Sequence, residues 1–86
     1  MQQVENKLHY IQSRIETLRE KIQLNINQFK SLVKERLEIS GDYSKENLLK
    51  IEQIETSIDS LQLDILAQYN SLESLSQTKI DLIRML

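Results

Sequence analysis

Residues able to do chemistry are few in this chain and stand apart from one another. His9 is the only histidine and there is no cysteine, so a metal site would start from a single imidazole, and thiol catalysis and disulfides are excluded. Glu52, Glu55 and Asp59 recur at helical spacing and could imitate a carboxylate ligand set, yet no Glu-x-x-His motif accompanies them as in di-iron bundles. A solvated acidic face is the expectation. Gly41 is the only glycine and stands alone, which leaves no glycine-rich loop to cradle phosphate. Tyr10, Tyr43 and Tyr69 are widely separated and lack a basic surround, so they do not make a stacking platform for bases. The chain is therefore expected to be no enzyme and to carry no cofactor or metal.

The elements that hold these side chains follow from composition. A length of 86 residues allows at most one small domain, with no room for a large cleft. One Gly, no Pro and four aromatics leave out the turn punctuation and ring-rich strands of a sandwich or barrel, and an all-helical chain remains. A net charge of −2 and a pI near 5.4, with basic residues interleaved among acids, give no general attraction to nucleic acid. Apolar runs such as Leu48-Leu49 and Ile65-Leu66-Ala67 fall far short of the roughly 20 residues of a membrane span. The opening residues do not pair a basic region with an apolar block, so no secretory signal is read and a cytoplasmic or other soluble intracellular location is expected.

Gly41 falls close to the midpoint, where a glycine just past a helix end enters the left-handed conformation without steric penalty. Asp42 or Ser44 can cap a following helix, and Glu46 adds negative charge to its first turn. This predicts one domain over 1–86: a helix over about 2–39, a turn over 40–43 and a second helix over about 44–86. Each arm would run about 57 to 65 Å at about 1.5 Å per residue. An antiparallel hairpin is preferred over one rod running through Gly41, although a single glycine would cost a rod only about 1 kcal/mol.

Apolar spacing assigns a face to each arm. Val4, Leu8, Ile11, Ile15, Leu18, Ile22, Asn25, Phe29 and Leu32 alternate by four and three, a heptad seam broken once by Asn25. Ile51, Ile54, Ile58, Leu61, Ile65, Gln68, Leu72, Leu75, Lys79, Leu82 and Leu86 do the same, with breaks at Gln68 and Lys79. A left-handed coiled coil follows from that period. Folding back at Gly41 pairs seam residues whose numbers total about 83, so Phe29 meets Ile54, Ile22 meets Leu61 and Ile11 meets Leu72. Beside the seam, Lys21 then faces Asp64 and Glu35 faces Lys50. The first arm carries seven basic residues against five acidic and the second four against eight, which suits self-pairing.

The two flanks of such a hairpin differ. One carries Lys7, Arg14, Lys21, Gln28 and Glu35 against Lys50, Ser57, Asp64, Ser71 and Thr78, and should face water. The other exposes Ile26, Val33, Leu37 and Leu48 near the turn and Leu66, Tyr69, Ile80 and Ile83 near the open end, with Arg19, Glu55 and Gln62 between. Apolar clusters of this kind mark interaction sites. The preferred arrangement is a head-to-tail homodimer in which the turn-end cluster of one hairpin covers the open-end cluster of the other, forming a four-helix bundle. Helices of a different protein docked on the same flank are the competing arrangement. Tyr69 would anchor the interface and Tyr43 would cover the turn. Asn25 and Gln68 are candidates for setting register. In the hairpin they oppose Ile58 and Ile15, so either a second copy supplies their polar partners or the seam simply tolerates polar side chains close to water.

Function classes follow from the shape. An interaction or scaffold protein acting by self-association, or as a subunit of a larger coiled-coil complex, is preferred. The alternative is a small secretion-system protein or chaperone presenting its apolar flank to a client helix. The shape resembles the ESAT-6 (WXG100) class of paired helical hairpins: Ser40-Gly41 lies where that class has its Trp-x-Gly turn, with Ile39 in place of Trp. Tyr69 and Glu73 resemble its Tyr-x-x-x-Asp/Glu signal, placed inside the chain. A third class, an RNA-binding bundle of the Rop kind, would use Lys7, Arg14 and Lys21, which Glu35 and Asp64 interrupt. A three-helix cochaperone-like bundle broken near Asn70-Ser71 is set aside because the seam continues through Leu72 and Leu75.

Overall fold

A computed structural model describes residues 2–39 and 44–86. Two helices account for nearly all of them: α1 over Gln2–Glu38 and α2 over Lys45–Arg84. Among the described residues there is no strand. Each helix carries charge that opposes its own dipole, with Glu5 and Glu46 in the first turns and Arg36 and Arg84 in the last.

Ser44 is the N-cap of α2. Its Oγ accepts from the Asn47 backbone N–H at 3.3 Å, and its carbonyl accepts from Leu48 at 2.9 Å. At the far end the Met85 and Leu86 N–H groups reach back three residues to Leu82 and Ile83, each at 3.1 Å, the tightened geometry by which helices satisfy their last carbonyls. The arms are therefore slightly shorter than the periodicity predicts: Ile39, Met85 and Leu86 lie outside the helices. The expectations that rest on Gly41, Asp42 and Tyr43 fall outside the described residues.

The helices lie side by side in a rod of 65 × 14 × 13 Å. Ile15 and Ile22 of α1 and Ile51, Ile54 and Leu61 of α2 are its buried core, and all five are seam residues. The other seam positions are half-buried, with Leu86 the exception at 62% exposure. Past the last helical turn, the heptad frame no longer decides where a side chain points.

Two helices bury little. The chain exposes 6735 Å², whereas a compact monomer of this mass would expose about 5,300 Å². Some 1,400 Å² of surface is thus left open by the shape alone.

The register departs from the symmetric one. Among the described residues three side-chain hydrogen bonds cross between the helices: Asn25 with Gln68, Gln12 with Lys79 and Arg36 with Glu55. Their residue numbers total 91 to 93, not about 83. Helical side chains lean toward their own N-terminus, so in an antiparallel pair the tips that meet belong to residues of higher number on both helices. An excess of eight to ten residues corresponds to about 12 to 15 Å of travel, more than the lean of one Asn and one Gln supplies. α2 therefore also sits shifted along α1.

Candidate interaction surface

The shift corrects the reading of the polar seam residues. Asn25 and Gln68 do not oppose Ile58 and Ile15 as orphans awaiting a second copy. The Asn25 Nδ2 donates to Gln68 Oε1 at 3.0 Å, in a part-buried site. Both are half-buried and each satisfies the other within one chain. Lys79, the remaining break, donates through Nζ to Gln12 Oε1, also part-buried. The neutral Asn25–Gln68 bond contributes about 0.5 to 1.5 kcal/mol, while leaving one partner unpaired costs about 1 to 3.

The charged pairs also differ from expectation. Lys21 does not come within ion-pair distance of Asp64. Nor does Glu35 pair with Lys50. The one ion pair among the described residues joins Arg36 Nε to Glu55 Oε1 at 3.1 Å, on the opposite flank. With side chains 35% and 55% exposed, it contributes no more than about 1 kcal/mol. The sequence places Glu55 on a solvated acidic face and between two apolar clusters, and neither position points to an ion pair with Arg36. Arg36 occupies a seam position one turn beyond Leu32, and continuing the alternation of three and four would have placed it there.

The flanks are as unlike as the sequence predicts. Every residue of the Lys7, Arg14, Lys21, Gln28, Glu35 row and of the Lys50, Ser57, Asp64, Ser71, Thr78 row is exposed. Two open clefts lie along this polar flank. One of about 700 Å³ runs between Tyr10, Arg14, Lys21 and Asn70, Ser74, and one of about 500 Å³ lies between Asn25, Gln28 and Ser60, Asp64. Arg14 lies 5.7 Å from the centre of the Tyr10 ring and donates to its hydroxyl at 3.1 Å, so this exposed pair is closed on itself.

The opposite flank closes over the seam. Gln12, Ile26, Val33 and Ser76 on its rows are half-buried, and beyond them stand Leu37, Leu48, Leu66, Tyr69, Ile80 and Ile83, between 44% and 71% exposed. Of the eight apolar residues assigned to this face, Ile26 and Val33 are thus partly covered by the hairpin itself. The other six are open. Leu24, Leu49 and Leu63 are exposed as well, but off both flanks and scattered, as single apolar residues commonly are on protein surfaces.

His9, Glu52, Glu55 and Asp59 are all exposed. Among the described residues no group of three His, Cys, Asp or Glu side chains is placed to hold a metal ion, and no helix is long and apolar enough to cross a membrane. Compared with protein-family models, curated proteins and solved structures, the chain matches none.

Proposed function

We propose that this chain is a non-enzymatic assembly module whose apolar flank docks against protein helices. One observation carries the reading: six large apolar side chains stand about half-exposed on a single flank of a rod that leaves about 1,400 Å² more surface open than a compact monomer. A stable interface buries about 800 Å² on each partner, so the open area is enough for one. Burial of apolar surface at about 25 cal/mol per Å² would then add to a core that holds five buried side chains among the described residues. The product is a helical bundle, and the role is that of a scaffold or subunit held by coiled-coil contacts.

The test is the solution mass by light scattering over a dilution series, with circular dichroism on the same samples. Association that Leu66→Asp or Ile83→Asp weakens, and Gln28→Asp does not, is the expected result. A strongly helical monomer that melts cooperatively and keeps its helicity after either flank substitution would overturn the reading, because the flank would then need no cover. A weakly helical monomer that becomes helical only with a client helix is the chaperone outcome of the same docking surface.

A further inference from the structure

The spacing of exposed apolar residues along α2 says more than that the flank is sticky. Leu48, Leu66 and Ile83 are each about half-exposed on the same flank. Leu66 lies 18 residues after Leu48 and 17 before Ile83, so these three are almost symmetric about it, while Tyr69 and Ile80 stand on the open-end side alone. A stripe symmetric about its own middle is what a twofold axis requires, since an isologous contact presents the same patch twice.

We infer that the occupant of this flank is a second copy of the chain, turned end for end, with the twofold axis passing beside Leu66 of α2. In that arrangement α2 lies antiparallel to the second copy's α2. Leu66 meets the second copy's Leu66, Leu48 meets the second copy's Ile83, and Ile83 meets the second copy's Leu48. This commits the docking reading above, on which it rests, to one partner and one orientation.

The other twofold arrangement, with both turns at the same end, lays α2 against the second copy's α1. Along the open-end half of α1 this flank holds Glu5, His9, Gln12, Glu16 and Arg19, so Ile80 and Ile83 would meet charged and polar side chains. The apolar residues that α1 does have on this flank, Ile26, Val33 and Leu37, gather toward the turn. Turning the second copy end for end brings its Tyr69 and Ile80 to that end. The open area of about 1,400 Å² per chain exceeds the roughly 800 Å² per partner of a standard dimer.

The absence of cysteine makes the geometry directly readable. Single variants Leu66→Cys, Leu48→Cys and Ile83→Cys in the full chain are oxidised mildly, alone and as an equimolar mixture of the last two. Expected are a covalent dimer from Leu66→Cys alone, a mixed disulfide from the Leu48→Cys and Ile83→Cys mixture, and little from either of those alone. Leu66→Asp should weaken dimerisation roughly tenfold or more. Efficient self-cross-linking of Leu48→Cys and of Ile83→Cys would overturn the orientation while leaving the flank as an interface. A wild-type chain that scatters as a monomer at high concentration would overturn the second copy. If that monomer is weakly helical the docking reading survives without this partner, and if it is stably helical both fall.

Discussion

The two flanks of the hairpin share one heptad frame and one pair of helices, yet they behave oppositely. On the Lys7 to Glu35 side every side chain of both rows is exposed and open clefts lie between the helices. On the Ile26 to Leu48 side, row residues tuck over the seam, and the cross-helix contacts of Arg36 with Glu55 and of Gln12 with Lys79 include residues from those rows. The seam is common to both sides, so the core alone does not separate them. What separates them is the residue one step beyond the seam: the Lys7 and Lys50 rows stay exposed throughout, whereas Gln12, Ile26, Val33 and Ser76 fold partly over the seam.

The largest effect should come from the part the flanks share. Ile22→Ala removes a buried seam side chain and should cost about 2 to 5 kcal/mol, read as a fall in the midpoint of urea unfolding. For a hairpin with so few buried residues this is expected to lose most of the helical signal at room temperature. Retention of a normal midpoint would mean that stability lies elsewhere than the seam. Next come substitutions that set the flanks against each other: Ile83→Asp should weaken association strongly and Ser71→Asp hardly at all, and equal effects on sedimentation would erase the distinction.

Asn25 and Gln68 sharpen the comparison from inside. Asn25→Leu leaves the half-buried Gln68 amide without its donor and should cost about 1 to 3 kcal/mol. The double variant with Gln68→Leu should recover most of that loss, since removing both partners replaces a polar pair by apolar contact. A double variant as unstable as the single would show that the pair does not act as a unit. The smallest effect is expected at the exposed ion pair. Glu55→Ala should change stability by less than about 1 kcal/mol, with the difference shrinking at high salt.

Much of the fold was legible because it rests on periodicity. The alternation from Val4 to Leu32 and from Ile51 to Leu82 located every buried residue, and Ser44 with Glu46 marked the start of α2 to within a residue. Register was not legible in the same way. Counting back from Gly41 treats side chains as spokes at right angles to the helix, whereas they lean, and the two helices slide on a seam whose apolar layers look alike at several offsets. Only the polar residues distinguish one offset from another. Asn25 and Gln68 were noticed as breaks, but their mutual fit could be seen only once the lean and the shift were known. The apolar flank was legible from the spacing of Leu37, Leu48, Leu66, Tyr69, Ile80 and Ile83, because in a two-helix hairpin only the seam is covered.

The three cross-helix contacts form a series in chain separation: 19 residues for Arg36 with Glu55, 43 for Asn25 with Gln68 and 67 for Gln12 with Lys79. The entropy of closing a loop rises with its length, so when formed alone the contact nearest the turn is the least costly to close and the one at the open end the most. Once one is made, each further contact closes only the short segment beyond it. Joining of the arms should therefore run like a zipper from the turn, and fraying should run back from the open end. Amide hydrogen exchange would record this as a gradient along the rod, fastest near Gln12 and Lys79 in a single chain. Where a second molecule lies end for end beside the first, its turn would brace the end that opens, and the gradient should flatten.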